Sequence, residues 1–404
     1  MIRQQHKHIM STVRVLMLVE NNSYPKDPRV RKEAEALVSA GYRVSVICPA
    51  EWQQRRHETV NGVEVYRFPA CTQGDGSAGY LYEYSYSMIA MFVLSMWVFM
   101  RVGFDIIHVA NPPDTLVFIA AFYKCLGKRF IFDHHDPAPE LYCARFSSIN
   151  RFVYWALVQF EKLSCRLADQ VIAVNESCRS IVISRDRVPE SQIVVVRNGP
   201  TVEGRDAVRA DVGGGPQSQL VIAYAGIIGV QDGVDILIRT VSCLVFELHR
   251  RDFVCLIIGD GQALQGLRKT VHEIGLTGYI HFTGWVSDPA AYAGYIAAAD
   301  ICVDPSPSNA YNNCCTATKM MEYMAAAKPV VAFDLPEHRS TAGPSALYVT
   351  PNSETAFANA IATLMDDVSR RRDMGAAGRR RVEQELAWKF AIPVLLSAYS
   401  RLSL

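Results

Sequence analysis

Neither sign of charge dominates this chain: 41 Lys and Arg stand against 40 Asp and Glu, for a net charge of +1. With no global field to gather nucleic acid, any charged ligand must be held locally. The eleven cysteines lack the paired spacing of zinc sites, Cys314 and Cys315 being merely adjacent. Such scatter is expected of a reducing cytosol. No secretory leader is legible. The opening MIRQQHKHIMSTVRVLMLVENN has a basic start, but Arg14 interrupts its apolar run and Glu20 and Asn21 stand where small cleavage-site residues belong. It reads as a first strand. The glycine spacing of a nicotinamide-binding turn is missing too, since GDGQALQG does not match it.

What is present is length and alternation. A chain of 404 residues suggests roughly two to three domains of about 150 residues each. Strand-like and helix-like runs alternate throughout, which argues for parallel sheets with helices on both faces. VRVLMLV, YRVSVIC, DIIHVA, RFIFDHH, QVIAV and QIVVVRN are the strands of a first half. Asp27 suits the cap of the first helix, Pro28 its first turn and Gly41 its end. TVEGRDAVRADVGGGPQSQ then breaks the apolar pattern and marks the best domain boundary. LVIAYAG, FVCLIIGD, YIHFTGW, DICVDPS and PVVAFD follow as a second set. The expectation is an α/β chain of two Rossmann-like doubly wound domains facing a cleft, at 1–200 and 217–385, with a helix at 386–404 bracing them.

One segment stands apart. Tyr84 to Met100 carries no charge, and MIAMFVLSMWVFM is apolar on every side except Ser95. It falls just short of the usual spanning length of about 18 to 20 residues. Two readings remain open: a buried core helix, or a shallow membrane contact flanked by Arg101, Lys124, Lys128 and Arg129.

Three stretches carry chemistry. In YAGIIGVQDGVDILIRTV a strand, a glycine loop and a helix follow one another, and Gly226, Gly229 and Gly233 would let backbone N–H groups approach a phosphate. A tight turn wants glycine anyway, so this signal alone is weak. In SNAYNNCCTATKMMEYMAAAKPVVAFD a polar loop leads into a helix bearing Lys319 and Glu322 on one side. They form either a solvated ion pair or a donor site, with Lys319 on a diphosphate and Glu322 on a ribose diol. IFDHHDPAPE places Asp133, His134, His135 and Asp136 at a strand end. A metal site, a substrate-positioning histidine and a structural cluster compete there, metal being disfavoured because adjacent histidines rarely share an ion.

At these residues the chain resembles the family 4 retaining glycosyltransferases, nearly end to end. YAGIIGVQDGVD, LIIGDGQALQGLR, IHFTGWVSD, AADICVDPSPS and EYMAAAKPVVAFD keep the family's order, and HHDPAPE looks like its His-Asp motif. The resemblance implies a GT-B fold, with acceptor in the first domain and donor in the second. Glu322 matches the second glutamate of the family's paired-glutamate signature, while Cys314 stands in the place of the first. Ile227 and Asp232 replace the usual Arg and Lys of the glycine loop, and Ala327 replaces a usual glycine. Lys319 is the candidate replacement cation.

The expected site has His135 and Lys319 as catalytic residues. Donor contacts are expected at Gly226, Gly229, Val286, Asn313, Thr316, Lys319 and Glu322, acceptor-side contacts at Asp27, Arg29 and Asp136, and no metal ligand. The co-substrate is a uridine- or guanosine-diphosphate sugar and no further cofactor is expected. The acceptor is a glycan or lipid-linked glycan of polysaccharide or cell-envelope assembly. The setting is cytoplasmic, with the inner membrane face as an option, and no nucleic-acid partner is expected. Two rivals stay open: a sugar-nucleotide epimerase of the same fold, and an inactive nucleotide-binding scaffold.

Overall fold

The computed structural model describes residues 13–71, 76–146, 148–201, 210 and 219–402. The chain divides into two compact units. One comprises 1–139, 149–196 and 392–404, and the other 140–148 and 197–391. The stretch read as a linker lies almost wholly outside the described residues.

The first unit holds β1 (Arg14–Leu18), β2 (Arg43–Ala50), β3 (His57–Val60), β4 (Val63–Pro69), β5 (Ile106–Ala110), β6 (Arg129–His134), β7 (Gln170–Ala173) and β8 (Ile193–Val195). They lie in the order β3-β4-β2-β1-β5-β6-β7-β8, parallel except for β3 against β4. Burial on both faces explains why these strands read as apolar runs rather than alternating ones; all five residues of β5 are buried. His108 in β5 and Asp133 in β6 are therefore polar exceptions inside a sealed sheet. The β3–β4 hairpin was not expected from the sequence. Its turn is Asn61-Gly62 with φ of 51° and 81°, the left-handed pair that a two-residue hairpin turn requires.

The second unit holds β9 (Leu220–Ala225), β10 (Phe253–Ile258), β11 (Ile280–Gly284), β12 (Ile301–Asp304), β13 (Val330–Phe333) and β14 (Ala346–Val349). The order is β11-β10-β9-β12-β13-β14, and all pairs are parallel. Both sheets are thus doubly wound, as expected. Strand order reverses between β1 and β5 in one and between β9 and β12 in the other, and open α/β sheets bind ligands beyond the carboxyl ends at such points. Val234, Leu237, Ile238 and Val241 bury one face of the helix Val234–Ser242 in the second core.

The last helix, Trp388–Ser400, starts in the second unit, and from Ile392 its residues belong to the first. The apolar segment is longer than its uncharged run, a helix over Gly76–Arg101. Among the described residues, Tyr82–Arg101 is long and apolar enough to cross a membrane by length and composition, and most of it is not buried. Ser87, Met91, Ser95 and Val98 face inward, whereas Ile89, Val93, Trp97 and Met100 are exposed.

Candidate functional site

In the second unit Gly226, Gly229 and Lys319, of the candidate donor residues, come together at the β9/β12 reversal. Lys319 sits on the helix Thr318–Ala325 and points into the ends of these strands. Its Nζ is 3.7 Å from Asp304 Oδ1, 3.7 Å from Asp232 Oδ1 and 3.4 Å from the Tyr224 hydroxyl, and lies over the Tyr224 ring. Burial alone would depress the ammonium's pKa, but Asp304, Tyr224 and Asp232 outweigh it and push it up. Lys319 therefore stays charged. Burial would raise Asp304, yet Lys319 and His338 hold it low, with Ser306 donating to it at 2.6 Å. Asp232 goes the other way, raised mainly by burial.

The glycine loop closes over this group. A Cβ on Gly226 would come within 3.1 Å of the Tyr224 hydroxyl and 3.3 Å of Lys319 Cε, so only glycine fits without displacement. The Gly229 N–H donates to Asp232 Oδ2 at 3.1 Å. Asn312, buried, donates its amide to Gln231 O and Pro307 O and ties the polar loop to the glycine loop. Asn313 accepts from Ser308 Oγ, and Thr316 lies in the loop before the Lys319 helix. Val286 is half-buried just beyond β11. Glu322 makes no ion pair with Lys319. One of its oxygens instead accepts from the Tyr292 hydroxyl at 2.6 Å.

Lys319 also has a structural task. Its side chain is only 15% exposed and offsets the fully buried Asp304, so its loss also affects stability.

The first unit holds a second cluster. Asp27 caps the helix Pro28–Ser39, accepting from the Arg29 and Val30 N–H groups at 3.0 Å each. Arg29 is buried. Its guanidinium donates to Asp133 at 2.7 and 3.1 Å and to Val196 O at 2.8 Å, and stands 3.1 Å from Glu33 Oε1. Burial would raise Asp133, but Arg29 and His135 hold it well below its ordinary value; Glu33 is pushed well up, by burial and then by Asp133. Glu33, His108 and Asp133 could by geometry surround a metal ion, their ligand atoms lying within 4.8 Å of one another. Arg29 already supplies positive charge there.

His135 follows β6. Its Nε2 is 2.5 Å from Asp133 Oδ2, and its N–H donates to Asn111 Oδ1 at 2.6 Å. Asn111 also donates to Asp136 O at 2.8 Å, which fixes the loop. Tyr399 of the last helix meets His108 Nδ1 at 2.6 Å. Sequence reasoning missed Glu33, His108, Tyr224, Asp304, Tyr292 and His338. A lone histidine inside the apolar DIIHVA run was the one available signal.

The class is set by the sheets: two parallel doubly wound units of the GT-B type. Residues 219–367 match the family described as Glycosyl transferases group 1, and residues 27–199 the Glycosyl transferase 4-like domain. Together these matches take in most of the chain, which belongs to the family 4 glycosyltransferases. A D-inositol 3-phosphate glycosyltransferase of Thermomonospora curvata is 27% identical over 213 residues, covering 50% of this chain and 48% of that one. The lipopolysaccharide core biosynthesis glycosyltransferase LpsD of Rhizobium meliloti is 29% identical over 147 residues, covering 36% and 40%. The matched stretches thus span about half or less of these relatives. Anabaena HepE, solved in complex with UDP-glucose, superposes with a TM-score of 0.71 at 16% identity, over 96% of this chain and 99% of that one, a likeness of fold.

Proposed function

We propose that the chain transfers a sugar from a nucleoside-diphosphate donor to a glycan or lipid-linked acceptor in polysaccharide or cell-envelope assembly, with retention and without a metal. The observation that carries this is Lys319. Among its described partners, its ammonium has only one hydrogen bond, a long one to Tyr224, at the strand ends where this fold class binds ligands. An ammonium with three donors and no close acceptor suits an incoming anion. HepE's complex with UDP-glucose supports a sugar nucleotide as that anion.

In this reading the bond between sugar C1 and the diphosphate oxygen breaks while the acceptor oxygen bonds C1 on the same face. The acceptor's proton passes to the departing diphosphate. Lys319 stabilises the leaving charge, Glu322 holds the ribose, and His135, beside Asp133, contacts the sugar or braces the acceptor side. A donor screen by thermal shift over uridine and guanosine sugar nucleotides, followed by turnover with chelator present, tests it. Product formation that survives chelation is expected. Loss of turnover restored by magnesium or manganese contradicts the metal-free account. Nucleotide binding without turnover on any acceptor favours the scaffold reading, which Asp232 beside Lys319 keeps in play.

The same proposal sets the enzyme at the cytoplasmic membrane face, contacting lipid through Ile89, Val93, Trp97 and Met100. Phe122, which meets Phe92 at 5.2 Å between ring centroids, extends this apolar surface. The flanking charge is weaker than the sequence implied, because Lys124 and Arg129 both pair with Asp169. Flotation with anionic phospholipid vesicles is expected to carry the parent and to leave Val93→Glu behind. A parent that stays with the soluble fraction at low salt removes the membrane from the account.

A further inference from the structure

Asp232 stands in the glycine loop where the family usually has a cation. Its two oxygens have different tasks. Oδ2 accepts from the Gly229 N–H at 3.1 Å, and Oδ1 faces the Lys319 ammonium at 3.7 Å. A backbone N–H at a glycine and a buried ammonium are the two kinds of group that a nucleotide's phosphate oxygens use. A carboxylate resting on both resembles a phosphate in charge and acceptor geometry. We infer that Asp232 is an internal competitor for the donor's diphosphate, occupying the Gly229 N–H and Lys319 until the phosphate displaces it, and that it thereby sets donor affinity. This rests on the reading that the Lys319 cluster is the donor site.

Three features distinguish Asp232 from a fixed structural anion. First, it is not needed to neutralise Lys319, because Asp304, fully buried and held low, already does so. Second, its side chain is 17% exposed, against none for Asp304, so it has a route outward. Third, burial raises its carboxyl and the nearby Asp304 adds to this, so its charged form is the less favoured of the two acids. Lys319, the Gly229 N–H and, last, Arg145 oppose that rise without cancelling it. Two carboxylates around one ammonium leave the empty site with no positive surplus. A diphosphate that arrives while Asp232 stays in place meets repulsion, and one that replaces it meets Lys319 and a freed N–H.

Asp232→Asn keeps an oxygen for the Gly229 N–H and removes the charge. Asp235→Asn, at an exposed residue of the following helix paired with Arg239, controls for simple loss of an acid nearby. Calorimetric titration in chelator-containing buffer uses uridine, UDP, guanosine and GDP on the parent and both variants. Asp232→Asn is expected to bind the preferred diphosphate about tenfold to a hundredfold more tightly, with nucleoside affinity and melting unchanged. Asp235→Asn is expected to match the parent. Nucleoside binding at the parent's level with diphosphate affinity unchanged or weaker in Asp232→Asn overturns the competitor role and leaves the donor site standing. If neither nucleoside nor diphosphate binds the parent or the variants, the donor-site reading falls and takes this proposal with it. A parent that binds diphosphate only with added magnesium, a response lost in Asp232→Asn, overturns the proposal in favour of a carboxylate-held cation.

Discussion

The two buried clusters share the same kinds of component. Each sets one cation against two carboxylates, with histidine beside them: Arg29 with Asp133, Glu33, His108 and His135 in the first unit, and Lys319 with Asp304, Asp232 and His338 in the second. In each, one carboxyl is held low and the other pushed up. What separates them is geometry. Arg29 makes close bonds to Asp133 and to Val196 O in a sealed interior, whereas the Lys319 ammonium has its nearest polar partner among the described residues at 3.4 Å and keeps some exposure. A planar guanidinium saturated by a carboxylate is an anchor, while a loosely held ammonium is what the proposed donor site requires. The net charge of a cluster does not tell the two apart.

The largest expected effect breaks this comparison on its structural side. Arg29→Met leaves Asp133 buried without its bidentate partner, and removing one member of such a pair costs about 3–5 kcal/mol. Lys319→Met should cost clearly less, because Asp304 keeps Ser306 and His338 and Asp232 keeps the Gly229 N–H. Chemical unfolding of both variants measures the difference. Equal losses contradict the division into anchor and site.

A smaller effect sharpens the contrast through pH. The first unit also buries Asp114, whose carboxyl is pushed up to about 7 by burial and then by Glu161. An unfolded aspartate titrates near about 3.9, so between about pH 4 and 7 the folded chain holds a proton that the unfolded chain has released. Stability from this group is therefore full at low pH and is lost as pH rises through that window, by on the order of 1 kcal/mol per unit at most. Asp114→Asn should be flatter than the parent between pH 5 and 8 in unfolding titrations. Parallel curves refute the assignment.

The smallest effect belongs to the Lys319 helix. Ala327, just past its end, has a φ of 55°, a conformation that disfavours a residue with Cβ. Ala327→Gly should stabilise the chain by about 1 kcal/mol and leave nucleotide affinity unchanged. A stability gain that alters ligand affinity would mean that the end of this helix is part of the site.

Much of this architecture was legible because buried parallel strands leave apolar runs and helix ends leave punctuation, as Asp27, Pro28 and Gly41 did. The β3–β4 hairpin had its signal in Asn61-Gly62, but short strands flanked by charge, such as His57–Val60, do not stand out from loop. The site was legible only in part. Gly226, Lys319 and Glu322 belong to local patterns, whereas the pairing of Lys319 with Asp232 joins residues far apart in the chain and has no spacing to read. Burial of Arg29 was invisible for the same reason: its partner Asp133 is 104 positions away. Its local partner Glu33, four residues on, reads as a surface pair until the fold buries both.

The most direct test of the account is a calorimetric titration of the parent, Glu322→Ala and Lys319→Met with a nucleoside, its diphosphate and the sugar nucleotide. A lost hydrogen bond to a charged group amounts to about 1.5 to 3 kcal/mol, or roughly one to two decades in affinity. Glu322→Ala should weaken all three ligands by that much, since the ribose is common to them. Lys319→Met should spare the nucleoside and weaken only the two ligands that carry the diphosphate. Two folded variants that bind every ligand as the parent does would show that the Lys319 cluster is a second structural anchor and not the donor site.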